Sequence, residues 1–475
     1  MWKDTTKKRH ARYRAILSES DHLFEPAERL EKESRFDCAR ESRADVMLNS
    51  SAYVLGPAIN AYVLWVLGEA AKKGTERLYF LARDGYFMYV TARILCEKLD
   101  IPIDCRYLCC SRYSVRIPVF HLNMTEAFDY ICRGGIDVTV DKILNRAGLS
   151  DGEKEKICSE ISRRPEEIVP YSELGVIRKQ LEASRDFTEF TQKRSEEEYP
   201  ALEGYIRSQG LLDDVRFAFV DSGWVGSMQK VIATLIHHIH EKENDGKTFR
   251  PEGYYWGLYE LPADVDPDDY HCYYFSEKHG VRRKIYFSNC LFESIFSAPH
   301  GMTLRYEERN GDFSPVFAQI RDENKKFILR TEGYIRKYAS NLAEELSEKG
   351  INADDLSLIN TDKERQMIGR LLDIFMGKPT YGEACVYGSL PFSDDVLDTN
   401  EQETAAVLTQ EELASNHPWN KIRIMTGLSK GKVKESAWYE GSAVRGRKNI
   451  GHHLRAYAGY KWMLYAKKEF TRRFR

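Results

Sequence analysis

The feature that most constrains this chain is a recurring unit: a short continuous apolar run, then polar residues, then a segment with helical spacing. It is met first in RLYFLARDGYFMYVTARIL, residues 77–95, where the apolar run stops at Arg83-Asp84-Gly85. A short run without alternation suits a strand buried on both faces of a parallel sheet. The unit returns in IDCRYLCCS, ending at Ser111-Arg112, and in VRFAFVDSG, ending at Asp221-Ser222-Gly223. PEGYYWGLYEL, with alternating aromatic residues, reads as a further strand. Helices are expected over about 86–99 and 225–240. Strands alternating with helices predict an α/β fold with a Rossmann-like, doubly wound, mainly parallel sheet.

The rest of the chain divides around that unit. Residues 1–50 are mostly polar and charged and read as a helical arm with few core anchors. A Rossmann-like domain is expected over 51–310. It opens on a buried helix rich in Val54, Leu55, Ile59, Val63, Leu64, Val66 and Leu67, closed by Gly74. Residues 121–210 break the alternation with helical segments separated by glycine and proline, and read as a helical insertion or cap. Residues 311–475 read as a mainly helical region, with amphipathic helices beginning at PVFAQIRDENKKF and an acidic surface loop at FSDDVLDTNEQETAAVLTQEELASN.

Composition narrows the function classes. A chain of 475 residues, 30% charged and 42% hydrophobic, has no run of eighteen apolar residues and begins with a polar stretch, so a cytoplasmic globular protein is expected. The net charge of −3 carries no nucleic-acid bias. The ten cysteines lack paired CxxC spacing and are expected reduced. The end of the chain is basic and aromatic, with Lys461, Lys467, Lys468, Trp462, Tyr465 and Phe470 around one acid, Glu469. Two readings stand: a helix packing its aromatic residues on the core and solvating its lysines, or a peripheral contact with an anionic membrane.

Ligands of open α/β sheets bind beyond the carboxyl ends of the strands. If the three polar strand ends are neighbours, Arg83, Gly85, Ser111, Arg112, Ser222, Gly223, Gly226, Ser227 and Gln229 converge on one crevice. Its ligand would be a phosphorylated or nucleotide-activated small molecule. Arg83 and Arg112 would grip its phosphate, and the amides of Gly226 and Ser227 would open a helix toward it. Asp84 and Asp221 would be catalytic carboxylates or share Mg²⁺, which takes oxygen ligands and bridges to phosphates. Glu293, His300 and Arg305, near SAPHGMTLRY, would lie within reach, and His300 could act as acid or base. His237, His238 and His240 fall on different sides of their helix and do not make a metal site.

The order Asp84, Ser111, a basic residue such as Lys179, and Asp221 resembles the haloacid dehalogenase superfamily. That resemblance implies an aspartyl nucleophile at Asp84, usually with Mg²⁺. The second acid of that family falls two residues after the nucleophile, where this chain has Tyr86. FAFVDSGWVGSMQKVI and LARDG also resemble the phosphate loops of phosphoribosyltransferases, although Asp221-Ser222 replaces their usual pair of acids. LYFLARDGYFMY, YLCCSRYSVRIP, FVDSGWVGSMQ and FESIFSAPHGMTLRY together resemble an uncharacterised bacterial family over about residues 50–310. Its members are described as haloacid-dehalogenase-like hydrolases linked to surface-polysaccharide or glycan biosynthesis. Longer members carry an upstream dehalogenase-like domain with a DxD motif, which has no counterpart in this sequence. Two function classes follow: a phosphate-ligand hydrolase or transferase, or a non-catalytic binding or scaffold protein of a glycan assembly system.

Overall fold

The computed structural model describes residues 3–37, 41–135, 138–244, 246–247, 250–359, 361–392, 402–425, 428, 433–434 and 436–473. Burial on both faces is what makes the first apolar run a strand: every residue of β1 (Arg77–Leu81) is buried. β1 pairs in parallel with β2 (Asp104–Leu108), setting Leu81 beside Leu108. On its other side it pairs with β3 (Phe217–Trp224), setting Phe80 beside Val220. β4 (Glu252–Leu258) and β5 (Tyr270–Phe275) extend a five-stranded, all-parallel sheet of order β2-β1-β3-β4-β5. Parallel neighbours need crossovers, and the helices Gly85–Lys98 and Ser227–Glu243 supply two of them. The α/β class expected from the alternation is the class observed.

Two of the strand features that were not expected lie close to the site-bearing sheet. β5, YHCYYF, was not read as a strand. Beyond it, β6 (Thr303–Arg309) and β7 (Asp312–Phe317) form an antiparallel hairpin. Asn310 and Gly311 turn it with φ of 56° and 85°, the left-handed pair that a two-residue hairpin requires. The helix expected from Pro315 therefore begins only at Asp322 and runs to Glu348.

The N-terminal segment holds more of the core than its polar composition suggests. The helices Thr6–Leu17 and Phe24–Glu33 bury Tyr13, Leu17, Ala27 and Leu30 in a cluster that also contains Phe80, Trp256, Tyr338 and Trp438. Arg9, itself buried, donates to the carbonyls of Ile374 (3.2 Å) and Lys378 (2.8 Å), fastening this segment to the C-terminal half. The helix Arg43–Lys72, continuous through a π-helical turn at Ser51–Leu55, is long and apolar enough to cross a membrane, but 83% of its most apolar window is buried inside the protein. It is the central core helix.

The insertion has its own core. The helices Met124–Ile131, Val140–Arg146, Asp151–Glu160, Leu174–Ala183 and Arg185–Ser208 enclose a separate cluster that includes Phe128, Ile143, Leu144, Ile177 and Phe187. The last helix, Ile450–Arg473, is anchored by two buried ion pairs, Lys284–Glu469 (2.6 Å) and Lys461–Glu440 (3.3 Å). Lys461 is thus not solvated, Tyr465 stacks on Tyr259, and Trp462 is 58% exposed. Residues 393–401 of the acidic stretch expected as a surface loop lie outside the described residues, as does Cys38; the other nine cysteines are free thiols.

Candidate functional site

Because β2, β1 and β3 are parallel neighbours, their carboxyl ends open on one edge of the sheet. A cavity of about 330 Å³ lies there. Arg83 and Asp84 line it from the end of β1, Ser111 and Arg112 from beyond β2, and Asp221, Ser222 and Gly223 from β3. Gly223 sits at φ 106°, and a Cβ there would meet the Gly257 carbonyl oxygen at 2.6 Å, so only glycine lets β3 bend here. Trp224 follows at φ 69°, a backbone setting that costs energy for a bulky residue and persists where the surroundings enforce it. The bend aims its indole N–H at Glu293 Oε1, which accepts it.

Glu293 is the residue whose place sequence reasoning underestimated. It stands on the short helix Asn289–Ile295, not in a loop, and brings a third carboxyl group into the cavity. Asn289, Cys290 and Met302 from the same stretch, Arg133 from the insertion and Phe392 complete the wall. The aromatic run around Glu293 was the available signal: Phe292 packs edge-on against Trp224 and Phe296 against Phe87, which fixes the helix against the strand ends.

The electrostatics follow from three acids sharing one cavity. Burial raises Asp84, while the Ser222 hydroxyl, donating to Asp84 Oδ2 at 2.5 Å, and the charges of Arg83 and Arg112 oppose the rise. Burial and then the Asp84 charge push Asp221 up to about 7, against backbone amides of Ser222 and Gly223 and the charge of Arg112. The same two causes push Glu293 up to about 8, against Arg112, the Trp224 N–H and Arg83. The guanidinium groups of Arg83 and Arg112 have no hydrogen-bond or ion-pair partner among the described residues.

Other expected site residues are placed differently. Gly85, Gly226, Ser227 and Gln229 are not among the lining residues, although Val225 and Met228 are. Gln229 is buried and structural, donating to the Pro251 carbonyl (2.9 Å) and accepting from the Tyr255 hydroxyl (2.7 Å). Gly226 closes on the ring of Tyr270, where a Cβ would stand 2.8 Å away. The Ser111 hydroxyl donates to the Thr303 carbonyl (2.6 Å) and caps the next helix by accepting from the Ser114 amide (2.9 Å). His300 also lies outside the lining: its Nδ1–H donates to the Gly301 carbonyl (2.8 Å) and its Nε2 accepts from the Tyr107 hydroxyl (2.9 Å). Arg305 pairs with Glu307 on the hairpin, and Lys179 is exposed on the insertion.

No family model matches this chain, and no curated protein matches it. The chemistry must therefore be read from the cavity itself. Two guanidinium groups favour an anion, and carboxyl groups titrating near and above neutrality can hold or release a proton beside it. Among the described residues no group of three or more His, Cys, Asp or Glu side chains is arranged to hold a metal ion. Two arginines already stand beside Asp84, and Ser222 occupies one of its oxygens, so the Mg²⁺ expectation has no built ligand set behind it.

Proposed function

We propose that the cleft binds a phosphorylated or nucleotide-activated small molecule and cleaves or transfers its phosphoryl group. The observation that carries this reading is the meeting of Arg83 and Arg112 with Asp84 and Asp221 at the carboxyl ends of three adjacent parallel strands. Guanidinium forks match phosphate oxygens, and a pair of them lining one cavity with no ion-pair partner among the described residues favours a dianionic group over a neutral sugar. Asp84 is the nucleophile of choice, because it follows β1, which lies between the two other strands that line the cleft, and both arginines bias it toward its anion. The link to glycan biosynthesis rests on the resemblance carried by the four sequence stretches above.

A non-catalytic binding protein is the second reading, favoured by Tyr86. Its hydroxyl donates to Glu332 Oε1 (3.2 Å), so the position two residues after Asp84 offers no acid to the cleft. Thermal-shift screening with sugar phosphates, nucleotide sugars and phosphoribosyl pyrophosphate, with and without Mg²⁺, tests both. A ligand at a hundred times its Kd should stabilise by about 2.7 kcal/mol, and Arg112→Ala should abolish most of that shift. Turnover of the stabilising compound selects the enzyme; a shift without turnover selects the binding protein. If no phosphorylated compound moves the wild-type melt, both readings of the cleft fall.

A further inference from the structure

Phosphoryl transfer from an alcohol leaves an alkoxide unless a proton is supplied to the departing oxygen. Tyr86 is turned away to Glu332 on the helix Asp322–Glu348, outside the cavity lining. Glu293, by contrast, enters the same cavity as Asp84 from the helix Asn289–Ile295. Its Oε1 accepts the indole N–H of Trp224, and its Oε2 has no hydrogen-bond partner among the described residues. A carboxylic acid held this way keeps its proton on the free oxygen, on a residue that lines the cleft.

We propose that Glu293 is the general acid of this site, giving its Oε2 proton to the ester oxygen that leaves phosphorus as Asp84 attacks. This rests on the phosphoryl-transfer reading above. In the first step a bond forms from an Asp84 carboxylate oxygen to phosphorus, the ester P–O bond breaks, and the Glu293 proton passes to the leaving alcohol. In the second step water attacks the phosphorus of the aspartyl phosphate, Glu293 takes the water proton, and inorganic phosphate and the Asp84 carboxylate are released. Atoms balance with water as the only co-reactant, and Glu293 ends protonated.

The surroundings divide the two carboxyl groups in the required sense. The charged and titratable groups acting on Glu293 are Asp84 and Arg83 after β1 and Arg112 after β2, with the Trp224 N–H from β3. Burial raises both groups, and at each a hydrogen bond and the charges of Arg83 and Arg112 oppose the rise; the difference is that the Asp84 charge raises Glu293 further, to about 8. Once Asp84 is the anion, Glu293 is the carboxyl group that keeps its proton, which divides the roles of nucleophile and acid.

Glu293→Gln tests the assignment, since the amide oxygen still accepts from Trp224 but carries no acid proton. kcat/KM for a hexose phosphate should fall by about 10²–10³-fold. For p-nitrophenyl phosphate, whose phenolate leaves without protonation, kcat/KM, which reports only the steps through P–O cleavage, should fall by less than about tenfold. Equal losses on both esters, or no loss on either, would overturn the assignment while leaving phosphoryl transfer intact; a wild type that turns over neither ester overturns phosphoryl transfer itself. A second measurement does not depend on the variant folding: with wild-type protein, kcat/KM for the hexose phosphate should drop above a pH of about 8 while that for p-nitrophenyl phosphate does not. Parallel profiles for the two esters would remove Glu293 as the acid.

Discussion

Two of the places where this molecule draws carboxyl groups in from solvent treat them in opposite ways. Under the C-terminal helix, Glu469 meets Lys284 and Glu440 meets Lys461 at contact distance, with the Phe287 carbonyl taking a further Lys461 hydrogen bond at 2.9 Å. In the cleft, Asp84, Asp221 and Glu293 face each other, and the nearby arginines do not form ion pairs with them. Paired charges hold one element against another; like charges crowded into a cavity raise each other's proton affinity and store unfavourable energy. The first arrangement serves the fold, and the second is of use only to a ligand or a reaction.

The comparison breaks most visibly at the ion pairs. Lys284→Met removes the ammonium group that meets buried Glu469 and should destabilise the protein by roughly 3–5 kcal/mol in urea unfolding, whereas adding Glu469→Leu should recover most of that loss. A cost under about 1 kcal/mol for the single change would mean the pair does not anchor the helix.

In the cleft the sign reverses. Asp221 titrates near about 7 when folded against an ordinary value of 3.8, so between those values the folded chain binds more protons than the unfolded one. Its contribution to stability therefore declines as pH rises through that window and stays lost above it. Asp221→Asn should be more stable than wild type at pH 9, on the order of 1–3 kcal/mol, and the gain should vanish near pH 4. A variant equally stable at both pH values would show that the cleft carboxyl groups do not repel.

The smallest effect concerns Trp224. Its N–H favours the Glu293 anion, so Trp224→Phe should move the alkaline limb of hexose phosphate turnover upward by a few tenths of a pH unit, roughly. A downward movement would place the indole on the wrong side of the proton balance.

How much of this was legible depends on whether the signal is local. The strands at 77–81, 104–108 and 217–224 announce themselves through continuous apolar runs, and the polar residues that end them identify Arg83, Asp84, Arg112 and Asp221. The N-G turn of the hairpin is equally local, in Asn310 and Gly311, although the helix expected from Pro315 passed over it. Gly226 and Gln229 share the composition of a phosphate loop and are used instead to pack the β3–β5 side of the sheet, which composition does not distinguish. Glu293 was legible only as a residue within reach of the crevice; its meeting with Asp84 was not, because some two hundred residues separate them along the chain.

The sequence by itself determined the layered α/β plan, because buried strands and amphipathic helices write their burial into periods of residues along the chain. It also determined that polar groups terminate three of those strands. Only the tertiary structure decided that β1 lies between β2 and β3, that the N-terminal helices share the central core, and that Glu293 closes the cleft. Strand order and wall closure are set by long-range packing of aromatic and aliphatic surfaces, and no local period records which surface a side chain will meet.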